Sequence, residues 1–505
     1  MMSRTIRLTT FAALVATAVL LRHCNFAPAP DLVASSSSTR HYGTIAFEPC
    51  TLASSFSAGS VQAQCATFEV PENRDFPNGR RIKLNLAWLP ATEEGLVAED
   101  PVFFIAGGLG QSTVQAWPQV NLAFKEVRKV RHVVLIDQRG TGASNLLACT
   151  PEDPAKSATP DATVIADLAK RCAKGIANRI DPRFYTTTDA IADLNAVREA
   201  MGATKINLIG SSYGTRVAQQ YAKRFPQHVR SIVLDGIVPN DLVIGGGFAH
   251  TFEDALNLQS ANCHELPACA KRFPQDARTQ LETLITRLRK APTQVEYRDP
   301  ASGQSRSGTA STDTVTSLAF MFPHMPQIAS LLPLALDEAS QGRYAPLMSL
   351  HDIVDRSIDG SFARGMQWSV ICAEDADRYN VSSADGTLLG PDVVRMFFAG
   401  CATWPHGDRP EDFTAPLKSD VPVLLLSGEF DPVTPPRFAE QVLQTLPNGH
   451  HLVLRGQVHG NMSLGCIPRL LGQFLESADA RALDAKCLDT MSYVSPFTSF
   501  NGWEP

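Results

Sequence analysis

A serine, an aspartate and a histidine occur in this order at places where a site for acyl transfer could form. Ser212 lies in the run GSSYG (210–214), Asp431 in DPVTP (431–435) and His459 in GQVHGN (456–461). A serine hydroxyl becomes a strong nucleophile when a base removes its proton, and that base needs a carboxylate to fix its tautomer and stabilise its charge. We therefore interpret Ser212 as the nucleophile, His459 as the base and Asp431 as the residue that orients His459.

Ser212 follows a short apolar run and precedes a helical pattern. A strand is predicted at Ile206–Ile209, and apolar residues recur at helical spacing from Val217 to Phe225, where Pro226 ends the pattern. A G-x-S-x-G run between a strand and a helix is typical of a sharp turn that presents the serine at the positive end of the helix. The alternative is a glycine- and serine-rich turn without chemistry.

The proposed acid and base also follow predicted strands. Asp431 comes after an apolar run at Val421–Leu426, and His459 comes after a run at His450–Leu454. Because parallel strands end at the same edge of a sheet, we expect both side chains to meet Ser212 there.

Other residues of the same types compete for these roles. Asp235 ends the predicted strand Ser231–Leu234 and is the alternative acid, whereas Glu429 is two residues early and is interpreted as a loop carboxylate. Four further histidines lie at a strand start or in a helical segment: His450, His451, His264 and His406. Of the histidines considered, His459 has the position that the base requires.

An oxyanion formed by acyl transfer needs backbone N–H donors. One is expected from Tyr213, the residue after the serine, and the other from Gly108 or Leu109 in the glycine turn AGGLGQS (106–112), which follows a predicted strand at Val102–Ile105. A phosphate-binding loop is excluded because the turn lacks the Lys-Ser/Thr ending.

The elements that must position these residues alternate between strand and helix. Further strands are predicted at Ile82–Leu89 and His132–Ile136, and a helix before Gly202. The pattern predicts an α/β protein with a mostly parallel sheet and helices on both faces. Residues 241–417 interrupt it with mainly helical segments, so we predict a cap inserted into a core formed by residues 46–240 and 418–505.

The amino-terminal residues are typical of a targeting segment. Arg4 and Arg7 precede an apolar run at Phe11–Leu21, which is too short to span a bilayer. We predict a signal peptide at 1–24 and a flexible leader at 25–45, with an uncleaved anchor or a lipidated Cys24 as alternatives. No later segment is predicted to span a membrane, and the protein is expected to be secreted or periplasmic.

Composition narrows the function classes further. The chain has 505 residues, of which 44% are hydrophobic, and a formal charge of −6, so a nucleic-acid partner is not expected. Besides Cys24 there are ten cysteines, an even number that predicts disulfides in an exported protein. Pairing of sequential cysteines is one connectivity that the spacing permits. No metal-binding or cofactor motif is found, so neither a metal nor a cofactor is predicted.

Several segments carry a resemblance to a known family. They are the glycine turn (106–112), DQRGTGAS (137–144), GSSYGT (210–215), VRSIVLDG (229–236) and DPVTPP (431–436). Together they resemble the α/β-hydrolase serine peptidases of the proline iminopeptidase and tripeptidyl aminopeptidase group, from about Val70 to Cys466. ICAED (371–375) and CATWP (401–405) are most similar to the secreted tripeptidyl aminopeptidase branch. Proline iminopeptidases usually carry His and Pro where this chain has Ala106 and Leu109.

The resemblance implies an α/β-hydrolase fold and an exopeptidase that acts near the free N-terminus of peptides through an acyl-enzyme. Such an enzyme needs a carboxylate for the substrate ammonium, and Glu374 and Asp375 are the candidates, with an exposed acidic loop as the alternative. Asp137 and Arg139 are expected to form a structural turn beneath the site. An esterase, amidase or lactonase acting on a small acyl substrate remains the alternative function, and a non-catalytic binding protein is a third. Oligomeric state is not readable from the sequence.

Overall fold

The structure is a computed structural model that describes residues 39–53, 59–93, 95–149, 161–321, 329–358 and 362–501. The predicted signal peptide at 1–24 and the first part of the predicted leader, to residue 38, lie outside these ranges. Strands begin at Arg40 and at Ile45, within the segment 25–45 that was expected to be a leader.

A sheet of ten strands forms the centre of the molecule. Its strand order is β1-β2-β3-β4-β6-β5-β7-β8-β11-β12. A separate pair, β9 and β10, forms a two-stranded sheet. The strands are β1 Arg40–Tyr42, β2 Ile45–Ala53, β3 Ser60–Pro71, β4 Arg81–Leu89, β5 Val102–Ile105, β6 Val133–Ile136, β7 Ile206–Ser211, β8 Val229–Asp235, β9 Thr293–Arg298, β10 Ser305–Ala310, β11 Val423–Gly428 and β12 Gly449–Leu454.

The sheet is parallel around the serine and antiparallel towards one edge. Strands β6, β5, β7, β8, β11 and β12 pair in parallel, whereas β2, β3, β4 and β6 pair antiparallel. All seven strands expected from apolar runs are present, with ends shifted by at most two residues. The α/β-hydrolase fold with its mostly parallel sheet is therefore confirmed.

Both faces of the sheet are covered by buried side chains. Along β5, Phe103 and Ile105 belong to one hydrophobic cluster, and the alternating residues Val102 and Phe104 belong to another. Successive side chains of a strand point to opposite faces, so the two clusters lie on the two sides of the sheet. This explains why β5 to β8 are continuous rather than alternating in hydropathy.

Helices follow most of the central strands. They are α1 Thr113–Val120, α2 Val127–Val130, α3 Ala162–Ile176, α4 Thr187–Ala200, α5 Tyr213–Arg224, α6 Phe248–Glu265, α7 Pro267–Arg272, α8 Ala277–Lys290, α9 Thr312–Met321, α10 Leu332–Ser340, α11 Ala345–Ile358, α12 Arg364–Glu374, α13 Gly390–Phe398, α14 Pro436–Leu443 and α15 Ile467–Ser477. In the part of the chain that the structure describes, no helix meets the length and hydropathy needed to cross a bilayer.

The segment expected to be a cap, residues 241–417, contains α6 to α13 and the β9–β10 hairpin. Leu281, Leu336 and Leu347 belong to a hydrophobic cluster of its own. The hairpin was not expected, because its residues are mostly exposed and polar and carry little hydrophobic signal.

Five disulfides join sequential cysteines. They are Cys50–Cys65, Cys149–Cys172, Cys263–Cys269, Cys372–Cys401 and Cys466–Cys487. Each closes a loop of fewer than thirty residues. This is the sequential connectivity that the spacing permitted.

Candidate active site

Ser212 occupies the sharp turn between β7 and α5. Its backbone has φ 50° and ψ −121°, a conformation that residues other than glycine rarely adopt. The side chain therefore stands at the amino-terminal end of α5, where the helix dipole favours negative charge. A serine at a sharp turn between a strand and a helix is the geometry that the sequence predicted.

Glycines on both sides of Ser212 allow the strand and the helix to approach closely. A Cβ atom at Gly210 would lie 2.4 Å from the carbonyl oxygen of Gly214. A Cβ atom at Gly214 would lie 2.4 Å from the carbonyl oxygen of Ile105. Any larger residue would force the turn apart, so both glycines are required by packing.

His459 and Asp431 form a hydrogen-bonded pair. His459 Nδ1 lies 2.8 Å from Asp431 Oδ2. The other carboxylate oxygen of Asp431 accepts the backbone N–H groups of Val433 and Thr434, both at 2.8 Å. The Thr434 hydroxyl donates to Asp431 Oδ2 at 2.8 Å and lies 3.1 Å from His459 Nδ1. These bonds fix the carboxylate and leave Nε2 as the proton acceptor of the imidazole.

The two members of the pair shift each other's pKa. Burial alone would lower the pKa of His459, but the charge and hydrogen bond of Asp431, together with the charge of Asp235, outweigh burial and raise it. Burial would raise the pKa of Asp431, but the charge and hydrogen bond of His459 and the backbone donors hold it below its usual value. The pair thus favours an ionised aspartate beside an imidazole that readily takes a proton.

Ser212 and His459 both contact the dipeptide Asp235-Gly236. The Ser212 N–H donates to the carbonyl oxygen of Asp235 at 2.8 Å. A Cβ atom at Gly236 would lie 2.9 Å from His459 Cε1 and 3.1 Å from Thr434 Oγ1. The turn after β8 is therefore the common neighbour of the serine turn and of the histidine loop.

The alternative acids have other partners. The Asp235 carboxylate accepts the backbone N–H groups of Asn461 and Met462 at 2.8 to 2.9 Å, and it is 1% exposed. Glu429 accepts the backbone N–H of Gly456 and the hydroxyl of Tyr493. Asp235 thus anchors the loop that follows His459, while Asp431 contacts the imidazole itself.

The predicted oxyanion donors are engaged by groups of the protein. The Tyr213 N–H donates to the carbonyl oxygen of Gly107 at 2.9 Å. The Gly108 N–H donates to Gln111 Oε1 at 3.0 Å. The side chain of Leu109, the other candidate, is 9% exposed and belongs to the hydrophobic core. The glycine turn and the serine turn are therefore in direct contact.

Glu374 and Asp375 end α12 of the cap segment and are both buried, rather than forming an exposed loop. Glu374 accepts the backbone N–H of Thr187 at 2.7 Å and its hydroxyl at 3.0 Å. Burial raises the pKa of Glu374 to about 7, although Arg216 opposes this effect. Asp375 lies 3.0 Å from Arg216 Nη1 and 2.7 Å from Arg378 Nη2. In this arrangement both carboxylates bind groups of the protein.

Asp137 and Arg139 belong to a buried turn, in line with the structural role expected for them. Asp137 accepts the Ser112 hydroxyl at 2.6 Å and the Val114 N–H at 3.0 Å. Arg139 donates to both oxygens of Asp193 at 2.7 Å. The hydrogen bonds of Asp137 therefore join this turn to Ser112, the last residue of the glycine turn.

Four residues near the site were not singled out from the sequence: Thr434, Gln111, Thr187 and Arg216. Thr434 lies within the DPVTP segment, three residues after Asp431, a spacing that permits a hydrogen bond back to the carboxylate. Gln111 lies within the glycine turn and contacts Gly108, three residues before it. Thr187 and Arg216 carry no sequence signal of their own, because their contacts with Glu374 and Asp375 are far away in the chain. No group of three or more candidate metal ligands occurs among the described residues.

The fold and the serine turn agree with a family comparison. The family model of the alpha/beta hydrolase fold matches residues 100–459. The chain therefore belongs to the α/β-hydrolase family and is a serine hydrolase.

Individual relatives carry more particular names. The serine protease Hip1 of Mycobacterium tuberculosis is 26% identical over 461 residues, which cover 84% of this chain and 87% of Hip1. The tripeptidyl aminopeptidase of Streptomyces lividans is 29% identical over 189 residues, 35% of each chain. A crystal structure of proline iminopeptidase from Mycobacterium smegmatis is similar to this chain with a TM-score of 0.38 and 16% sequence identity. The matched region covers 83% of this chain and 100% of the iminopeptidase chain.

Proposed function

We propose that this protein is a serine exopeptidase that cleaves peptides near their free N-terminus through an acyl-enzyme intermediate. The observation that carries the proposal is the 2.8 Å hydrogen bond between His459 and Asp431 beside the dipeptide that also holds the Ser212 backbone. The similarity to proteins named serine protease and tripeptidyl aminopeptidase supports a peptide substrate.

The proposed reaction proceeds in two halves. The Ser212 hydroxyl attacks the scissile carbonyl carbon while His459 Nε2 takes its proton, and Asp431 stabilises the imidazolium. The imidazolium then protonates the leaving amine as the C–N bond breaks, which leaves an ester on Ser212. A water molecule, deprotonated by His459, hydrolyses the ester and restores the free serine.

Recognition of the N-terminus is assigned to the acidic pair of the cap. A substrate ammonium beside Glu374 would favour the charged carboxylate, whose pKa burial raises to about 7. Glu374 is the better candidate of the two, because Asp375 is already bonded to two arginines whereas Arg216 is 3.8 Å from Glu374. Both side chains are buried, so binding requires the end of α12 to open towards the ligand.

We also propose that the protein is exported. Five disulfides among the described residues favour an oxidising compartment. Cell fractionation with an antibody, together with N-terminal sequencing of the mature protein, tests this proposal. Recovery of the full-length chain from the cytoplasm would contradict it.

A substrate panel tests the proposed specificity. Chromogenic amides of one, two and three residues are compared with the same compounds acetylated at the N-terminus, alongside short acyl esters. We expect free-amine peptides to be cleaved and blocked peptides to react at least about a hundredfold more slowly, because a charged hydrogen bond is lost. Equal rates for free and blocked peptides would contradict the exopeptidase assignment, and turnover of esters alone would support the esterase alternative.

Two variants test the assignment of the amine site. Glu374→Gln removes the charge of the candidate anchor, and Asp377→Asn removes a charge from an ion pair with Arg409 in the same region of the cap. Glu374→Gln should raise KM for free-amine peptides and leave the hydrolysis of acyl esters unchanged, whereas Asp377→Asn should affect neither. An equal effect of Glu374→Gln on both substrate classes would remove Glu374 from the amine site.

A further inference from the structure

The space that an oxyanion would occupy beside Ser212 is filled by a group of the protein. The Tyr213 N–H, the expected donor from the residue after the serine, is bonded to the Gly107 carbonyl oxygen at 2.9 Å. A carbonyl oxygen and a developing oxyanion both carry negative charge, so they cannot share this donor at hydrogen-bond distance. The Gly107 oxygen must move away before Tyr213 can stabilise a transition state.

The second donor is directed elsewhere as well. The Gly108 N–H is bonded to Gln111 Oε1 at 3.0 Å. The Gly107 carbonyl and the Gly108 N–H belong to one peptide unit, in which the C=O and N–H bonds point in opposite directions. A rotation of this unit by about half a turn would remove the carbonyl from Tyr213 and direct the Gly108 N–H to the same space.

Both residues of this unit are suited to such a rotation. Neither Gly107 nor Gly108 has a positive φ in the present arrangement. Rotation of a peptide unit reverses ψ of the first residue and φ of the second, as in the conversion of a type I turn to a type II turn, and the second residue must then accept a positive φ. Glycine accepts it without a steric cost.

Side chains would also be excluded from both positions by neighbouring atoms. A Cβ atom at Gly107 would lie 2.7 Å from the Ser211 carbonyl oxygen, and one at Gly108 would lie 1.9 Å from Cε1 of Phe362. The Phe362 backbone pairs with the backbone of Gln111, so the cap segment contacts the end of the glycine turn. The Gly107–Gly108 peptide unit itself carries no side chain that would oppose its rotation.

We propose that the free enzyme has an oxyanion hole occupied by its own Gly107 carbonyl, and that rotation of the Gly107–Gly108 peptide unit opens the hole for catalysis. Gln111 is the positioning residue for both states. Its Oε1 accepts the Gly108 N–H when the hole is occupied, and its Nε2 can donate to the Gly107 oxygen once the unit has rotated. The inference rests on the proposed function, since it concerns the same serine.

Two crystal structures test the rotation directly. One is the free protein, and the other is its adduct with a fluorophosphonate, in which the Ser212 oxygen bonds to phosphorus, fluoride leaves and His459 takes the serine proton. We expect the Gly107 oxygen on the Tyr213 N–H in the free protein. In the adduct we expect the phosphoryl oxygen on the N–H groups of both Tyr213 and Gly108. An empty hole in the free protein, or an unrotated unit in the adduct, would overturn the proposal.

A variant tests the part assigned to Gln111. Gln111→Glu keeps an oxygen that accepts the Gly108 N–H in the occupied state but, as a carboxylate, cannot donate to the Gly107 oxygen in the rotated state. Phosphonylation should therefore slow by about tenfold, the equivalent of one lost hydrogen bond. Gln115→Glu, at an exposed glutamine on α1, is the matched control and should react at the wild-type rate. An unchanged rate for Gln111→Glu, with no contact between Gln111 and Gly107 in the wild-type adduct, would remove Gln111 from the proposal.

The same experiments separate this inference from the proposed function. A protein whose serine takes no phosphonate would contradict the proposed function. The structure of the free protein needs no inhibitor. The position of the Gly107 oxygen in that structure would therefore still test the proposal that the oxyanion hole is occupied.

Discussion

Arg216 Nη1 lies 3.0 Å from Asp375 Oδ2, and neither side chain is exposed to solvent. Arg216 belongs to α5, the helix that begins after Ser212, whereas Asp375 directly follows α12 of the cap segment. Arg216 also donates to the backbone carbonyl of Leu242, where the cap segment begins. A single buried cation therefore joins the helix that follows the serine to two places in the segment 241–417, Leu242 and Asp375.

Loss of the Asp375 charge should destabilise the protein. Asp375→Asn leaves Arg216 without its close carboxylate in a buried site, and breaking a buried ion pair in this way costs about 3 kcal/mol or more. The free energy of unfolding, measured by urea denaturation, is the relevant quantity. Asp412→Asn is the control, because the Asp412 side chain is 74% exposed in its ion pair with Lys223 and its loss should change stability by less than about 1 kcal/mol. Equal stability of the two variants would contradict the structural role of Asp375.

Activity should rise with pH through the ionisation of His459. The base must be neutral to accept the serine proton, and the charge of Asp431 contributes to a pKa above the ordinary value of 6.5. In Asp431→Asn that charge is lost while burial still lowers the pKa, so the acidic limb of the kcat/KM profile should move to lower pH. The plateau should fall by about 10⁴-fold, because the imidazolium and its tautomer are no longer stabilised. An acidic limb that stays in place would show that Asp431 does not act on the base.

Thr434 should assist the aspartate. Its hydroxyl donates to the carboxylate oxygen that also binds His459. Thr434→Val keeps the shape of the side chain but leaves the buried carboxylate one hydrogen bond short, so kcat should fall by about tenfold with little change in KM. Thr434→Ser restores the hydroxyl and should recover most of the activity. A loss of kcat in the serine variant equal to that in the valine variant would assign the effect to packing.

The sequence identified the central sheet because its strands are buried on both faces and stand out as apolar runs. The strand at Val102–Ile105 was predicted with the bounds that the structure has. The edge strands β1 to β3 were missed because β1 has only three residues, none of them buried, and exposed and buried residues are mixed along β2 and β3. The same applies to the hairpin of the cap segment.

Only some residues of the candidate site could be predicted from the sequence. Ser212, Asp431 and His459 could be proposed because each follows a strand that ends at one edge of the sheet. The burial of Glu374 could not be foreseen, since it depends on contacts with Thr187 and Arg216, far away in the chain. The contact of Gly107 with Tyr213 is likewise a tertiary hydrogen bond that no spacing predicts.

The central claim is that Ser212 is a nucleophile activated by His459 and Asp431. The most direct measurement is the rate of labelling by a fluorophosphonate, with the modified residue located by peptide mass spectrometry. We predict a label on Ser212, none on a folded Ser212→Ala variant, and labelling of His459→Ala slowed by several orders of magnitude. A label on another residue, or undiminished labelling and turnover in Ser212→Ala, would contradict the account.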